Sequence, residues 1–135
     1  MSLEIESKER EGITILELNG RITMGEEAGK FRQLVQDMAK RGPSPKLILD
    51  MCQVDYIDST GLGALVMCAT SLRKQGGNMK LLNLNRRNIE LLVATKLTTI
   101  FEIFNDEQAA VNSFFPGRDI KPFDILEFVK TQKQV

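Results

Sequence analysis

Val54-Asp55-Tyr56-Ile57-Asp58-Ser59-Thr60-Gly61-Leu62-Gly63 stands at the junction of a predicted strand and a predicted helix. Upstream, the apolar run Leu47-Ile48-Leu49 stops at Asp50, and a short polar turn around Cys52 and Gln53 follows. Downstream, apolar residues at helical spacing begin at Leu62 and continue to Leu72. Asp58 and Ser59 fall just ahead of that helix, where a side-chain oxygen accepts from first-turn N–H groups that have no intrahelical partner. One reading is a cap followed by two small residues that let the helix pack tightly on its sheet. A cap needs only one such residue, however, and here Asp58, Ser59 and Thr60 are consecutive and lead into Gly-Leu-Gly. On the other reading Gly61 and Gly63 leave the first turn uncovered by side chains, open to a group attached to Ser59 or to a partner's surface.

Composition narrows the chemistry. The 135 residues fit one domain with a core large enough to fold alone. Lysine plus arginine total 18 and aspartate plus glutamate total 18, so no net field favours nucleic acid or an anionic membrane surface. No apolar run nears the roughly 20 residues that span a bilayer. The start Met1-Ser2-Leu3-Glu4-Ile5-Glu6 has no basic segment followed by a hydrophobic one, so a cytoplasmic protein without membrane insertion is expected. Cys52 and Cys68 are spaced neither as a metal knuckle nor as a redox pair and read as small core residues. Histidine is absent, which excludes a serine–histidine–acid triad within the chain and removes the nitrogen ligand of the usual zinc sites. Nothing places a lysine to activate Ser59. Gly61-Leu62-Gly63 lacks the third glycine and the lysine of nucleotide-binding loops. No catalytic residue, metal site or cofactor is expected.

The remaining elements alternate. Leu3 to Lys8 and Ile13 to Leu18 read as a β-hairpin turning at Glu11-Gly12, and Asn19-Gly20 is a second turn signal. Arg21-Ile22-Thr23 fits either a continuation of the sheet or a loop. Between Glu26 and Arg41, Ala28, Phe31, Val35, Met38 and Ala39 recur at helical spacing, with Lys30, Arg32, Gln36 and Asp37 on the other face. Gly42-Pro43-Ser44-Pro45 ends that helix. Lys46 to Asp50 is apolar enough for a central strand covered on at least one face. A second helix is predicted from Thr60 to Gln75, closed by Gly76-Gly77-Asn78; a short strand follows at Met79 to Leu82. Asn85 would cap a third helix with Ile89, Leu92 and Val93 buried. Phe101 to Phe104 is another sheet segment, and Asn105-Asp106 opens a last helix bearing Ala109, Ala110, Val111 and Phe114. Such alternation implies parallel neighbours with helices packed on the sheet. The expected fold is α/β, a mixed, mostly parallel sheet of four to five strands with an N-terminal hairpin and four helices. Residues 1–115 would form the domain and residues 116–135 an extension. There Phe123, Leu126, Phe128 and Val129 suggest a short amphipathic tail that docks back or pairs with another copy, forming a homodimer.

In the second helix Leu62, Leu65, Val66, Ala69 and Leu72 form a core stripe. The opposite face carries Thr60, Ala64, Met67 and Ser71, with no charge before Arg73. Two explanations stand side by side: a partner surface, or cover by another helix of the same domain.

These residues resemble STAS domains, and among them the bacterial anti-sigma-factor antagonists. The likeness spans Leu3 to Phe115 and is most specific at Asp58 to Gly63, supported by the hairpin ending in Asn-Gly, the strand ending in Asp, the Gly-Gly turn and Lys80-Leu81-Leu82. The resemblance implies a non-enzymatic switch: an anti-sigma factor with serine kinase activity binds the unmodified protein, freeing the sigma factor, and phosphorylates Ser59 to end the binding. Thr60 is the competing acceptor. The implied partner-binding set is Asp58, Ser59, Thr60, Gly61, Ala64, Met67, Ser71 and Thr23, the last standing where family members often carry an aspartate. STAS subunits also serve lipid-transport ATPases and stress-sensing complexes, an alternative the residues leave open. A receiver domain phosphorylated on Asp50 or Asp55 would need an acidic pair at its first strand's end, and Leu16-Glu17-Leu18-Asn19-Gly20 offers none.

Overall fold

Positive φ angles of 54° at Glu11 and 80° at Gly12 fold the N-terminus back on itself, the backbone that a two-residue turn needs to match the twist of its strands. The computed structural model describes residues 3–22, 26–40 and 44–118. Among these the elements run β1 (Glu4–Arg10), β2 (Ile13–Ile22), α1 (Glu26–Ala39), β3 (Lys46–Ile57), α2 (Ser59–Lys74), β4 (Asn78–Leu82), α3 (Arg86–Ala94), β5 (Ile103–Phe104) and α4 (Glu107–Asn112), with a 3-10 turn at Leu97–Thr99. The strands lie in sequence order in one sheet. β1 is antiparallel to β2, and β2 through β5 are parallel.

Alternation along the strands divides the core in two. Leu16, Leu18, Leu47, Leu49 and Met51 pack with Phe31 and Val35 of α1, Leu65 and Leu72 of α2 and Leu92 of α3. On the opposite face Ile13, Ile15, Ile48, Leu82 and Phe104 are covered by Ala109, Ala110 and Val111 of α4, with Phe114 and Phe115 alongside. Leu47, Ile48 and Leu49 are therefore all buried, as expected of a strand sandwiched between layers.

Several elements differ from the expectation. β3 does not stop at Asp50 but continues to Ile57, so Cys52 and Gln53 are strand residues rather than a turn, and Cys52 is exposed rather than core. Asn19-Gly20 likewise lies inside β2. The two strands stay paired through these polar residues because register shifts between Glu17 and Asn19 and between Gly20 and Arg21 absorb the mismatch. Val93 is 38% exposed instead of buried. β5 keeps only Ile103 and Phe104 of its predicted span. Side chains at 28 and 39, Thr23, and the tail from 119 onward, with Phe123, Leu126, Phe128 and Val129, lie outside the described residues.

Polar groups tie α4 down. Lys80, buried in β4, donates to the Ser113 carbonyl at 3.2 Å and hydroxyl at 2.8 Å, and pairs with Glu102 at 2.8 Å. At the other end Glu107 takes Lys8 at 3.0 Å and Arg10 at 2.7 Å, joining α4 to the hairpin. The hydrogen bond from Lys8, with that from Arg10, outweighs partial burial and holds the Glu107 carboxyl below its ordinary value of 4.5. A carboxylate with a depressed folded pKa stabilises the protein above its unfolded value and loses that contribution as pH falls through the folded one. Glu107→Gln should cost about 1 kcal/mol or less at neutral pH, since the pair is partly exposed. Below about pH 4.5 its urea midpoint should converge on that of wild type. A constant gap between the two down to acid pH would show that the pairs with Lys8 and Arg10 contribute nothing.

Candidate functional site

The end of β2 sets the position of α2. The Ile22 carbonyl accepts the Asp58 N–H at 3.2 Å. It also lies 1.9 Å from where a Cβ on Gly61 would stand, so any side chain at 61 would have to displace the main chain of β2. Gly61 is accordingly buried, and the expectation that it opens the surface is corrected: the close approach of strand and helix uses it up. Gly63 is the reverse case. It is exposed, and beyond its own helix backbone and chain neighbours nothing among the described residues lies within 4 Å of the place a Cβ would take. A glycine inside a helix costs about 1 kcal/mol relative to alanine, and none of the described residues packs into the space it leaves.

Asp58 is the N-cap, extended at φ −89° and ψ −179°, with its side chain accepting the Gly61 N–H at 2.7 Å and its carbonyl accepting the Leu62 N–H at 2.8 Å. One residue therefore supplies the cap. Ser59 and Thr60 become the first two helical residues, both exposed, and neither is needed to close the turn. At the far end Arg73 and Lys74 sit in the last turn, where positive charge complements the helix dipole.

The predicted outward face of α2 is rotated. Ala64 is only 5% exposed and Ser71 is half-buried, because α1 packs along α2. The solvent-facing line is Ser59, Thr60, Gly63, Met67 and Thr70, with Met67 53% exposed. Of the two explanations of that face, cover within the domain accounts for the burial of Ala64, and Met67 stays exposed. Leu62, Leu65, Ala69 and Leu72 are buried as predicted, and Val66 is half-buried.

Two neighbours were not legible in the sequence. Arg32 on α1 reaches Met67, its Nη1 4.0 Å from Sδ, a contact that only the packing of α1 on α2 creates. At the rim Arg87 stacks 5.3 Å from the ring of Tyr56, which is 40% exposed. Below it the Val54 carbonyl accepts from Asn85 at 2.9 Å and from buried Asn88 at 3.0 Å, pinning β3 where it outruns β4. Asn85 also caps α3, accepting the Asn88 N–H at 2.8 Å.

Burial pushes the Cys68 thiol up to about 12, and partial burial followed by the charge of Asp50 raises Cys52, so neither thiol is poised as a nucleophile. Among the described residues no group of His, Cys, Asp and Glu could hold a metal ion, and no helix is long and apolar enough to cross a membrane.

The family described as STAS domain matches residues 4–110. The anti-sigma-B factor antagonist of Bacillus subtilis (strain 168) is 32% identical over 111 residues, covering 82% of this chain and 99% of that protein. A crystal structure from Thermotoga maritima, of a protein with the proposed role of anti-sigma factor antagonist, superposes with a TM-score of 0.74 at 27% identity over 81% of this chain and 92% of that one. The Bacillus cell fate determinant SpoIIAA, in its phosphorylated form, shares the fold with a TM-score of 0.65 at 15% identity over 82% of this chain and 99% of its own.

The contrast between buried and open positions on α2 is measurable as stability. Gly61→Ala should lose about 1–3 kcal/mol or more, the cost of overpacking against main chain. Met67→Asp should change stability by about 0.5 kcal/mol or less. Urea titrations that ranked the two the other way would place Met67 in the core and refute this orientation of α2.

Proposed function

The chain belongs to the STAS domain family, and from that membership we propose that it is an anti-sigma factor antagonist. It docks on an anti-sigma factor that has serine kinase activity, frees the sigma factor, and loses that grip once Ser59 carries phosphate. The reading makes it a cytoplasmic binding protein and a substrate, with no catalysis of its own. The observation that carries it is the division of labour at the start of α2: Asp58 supplies the cap, and Ser59 stands exposed on the first turn with no structural duty. The relatives named as antagonists support the role, and SpoIIAA is itself known in a phosphorylated form.

Phosphate adds about −1.5 to −2 charges. At the first turn of a helix the dipole tolerates an anion, so the modified domain stays folded and the cost falls on the interface. A partner surface shaped for a neutral hydroxyl meets a dianion beside Asp58, and a 100-fold loss of affinity needs only about 2.7 kcal/mol. In this reading Ser59, Thr60, Met67 and, outside the described residues, Thr23 meet the partner directly. Asp58 and Gly61 hold the turn in shape, and buried Ala64 and half-buried Ser71 support it from behind.

Ser59→Ala should bind the anti-sigma factor of its own genome and take up no phosphate from it, whereas Ser59→Asp should bind more weakly. Phosphorylation by that kinase and ATP, mapped by mass spectrometry to separate Ser59 from Thr60, checks both. Equal phosphate incorporation in wild type and Ser59→Ala, or unchanged affinity after stoichiometric modification of Ser59, would sink the switch.

Of the extension expected at 116–135, residues up to Arg118 are described, and on the same reading the segment 119–135 is dispensable for folding. The described chain closes at Arg118, paired with Glu11 at 3.0 Å and stacked 4.1 Å from the Phe115 ring. Deleting 119–135 should leave a soluble protein with an unchanged circular dichroism spectrum, and an elution shift beyond the lost mass would assign self-association to the tail. An insoluble product would show that the tail completes the core.

A further inference from the structure

We propose that the C-terminal segment 119–135 returns across the open half of the sheet and seats Lys130 and Lys133 among the carboxylates there; the inference stands apart from the antagonist reading above. On one face of the sheet α4 covers Ile13 and Ile15 of β2 and Ile48 of β3. Two residues further along each strand the same face carries Glu17 and Asp50 instead. Glu6 of β1 stands directly opposite Glu17, and Glu17 directly opposite Asp50, so three carboxylates share one row across three strands. With Glu4, Asn19 and Gln53 they line a hollow of about 160 Å³. Like charges set directly opposite one another destabilise a sheet. Among the described residues the one cation paired with this row is Lys8, 3.3 Å from Glu17, and it is shared with Glu107 at 3.0 Å.

The row calls for positive charge, and no group of carboxylates among the described residues could hold a metal ion, so the fitting occupant is an organic ammonium. The chain's own end supplies it. The chain leaves α4 on this same side of the sheet, with Arg118 paired to Glu11 at 3.0 Å and stacked 4.1 Å from the ring of Phe115, which packs on the α4 core. Glu11 turns the hairpin, so the segment starts at the end of β1 away from Glu4. At the rise of a strand, Glu11 is about 17 Å from Glu6 and about 24 Å from Glu4. The twelve residues from Arg118 to Lys130 span about 18 Å as a helix and about 40 Å extended, so both carboxylates lie within reach. Charge order matches as well. From the hairpin turn outward this face of β1 reads Arg10, Lys8, Glu6, Glu4, while the segment reads Asp124, Glu127, Lys130, Lys133; Lys121, next to the anchor, departs from the order. Exposed ion pairs are individually weak, and the tether supplies the effective concentration at which several hold together.

The test is cross-linking of the full-length protein with a water-soluble carbodiimide, which condenses an amine and a carboxylate already in contact into an amide. Unlabelled and isotope-labelled protein are mixed in equal amounts beforehand, so that mass spectrometry separates links within a chain from links between copies. The pairs of Lys8 with Glu17 and Glu107 serve as the control in every digest. Links from Lys130 and Lys133 to Glu4, Glu6, Glu17 and Asp50 should form within one chain. They should exceed links to Glu9, exposed on the other face of β1, at least about tenfold. Links from these lysines spread evenly over exposed carboxylates, or none beside the Lys8 links, would overturn the inference and leave the antagonist reading untouched. Links of mixed isotope mass would overturn it too, by making a second copy the occupant.

Discussion

The carbonyl oxygen of Ile22 governs the height of α2 above the sheet. It accepts the Asp58 N–H and presses on Gly61, so the last residue of β2 and the first turn of α2 form one unit. Much else serves that contact. β3 runs twelve residues, well past the five of β4, to bring Asp58 level with Ile22. Two register shifts keep β2 beside it over that length. Asn85 and Asn88 take the Val54 carbonyl that β4 is too short to reach, so a buried acceptor is not left unpaired. Residues far apart in the chain thus converge on one turn, and the exposed Ser59 inherits its position from all of them.

The parts that could be read from the sequence are those whose cause is local. The Glu11-Gly12 turn, the Asp58 and Asn85 caps, and the apolar stripe Leu62, Leu65, Ala69 and Leu72 each follow from neighbours within one turn or one hairpin. What was misplaced depends on distant partners. Cys52 and Gln53 look like a turn until β2 is laid beside them with its bulges. Ala64 looks outward until α1 packs against α2, and Gly61 looks open until Ile22 arrives, thirty-nine positions upstream. Within the motif, the roles of the two glycines could be separated only once the space around each was known.

The cap and the Ser59 hydroxyl are adjacent yet distinct, and that separation has energetic content. Had Ser59 been the cap, its oxygen would have been committed to a backbone N–H, and altering it would have cost about 1 kcal/mol of helix stability. With Asp58 in that place the hydroxyl can change its chemistry without loosening the turn. The charges of α2 agree with this arrangement, with a carboxylate at its start and Arg73 and Lys74 in its last turn.

The order of the strands carries a consequence for how copies of this chain meet one another. Among the described residues the two outer strands are β1 and β5. β1 presents Glu4, Glu6, Lys8 and Glu9 to solvent, and β5 is two residues long. A charged margin and a margin too brief to template pairing are both guards against sheet-to-sheet growth. Such a chain can reach high concentration without its described strands adding onto those of another copy.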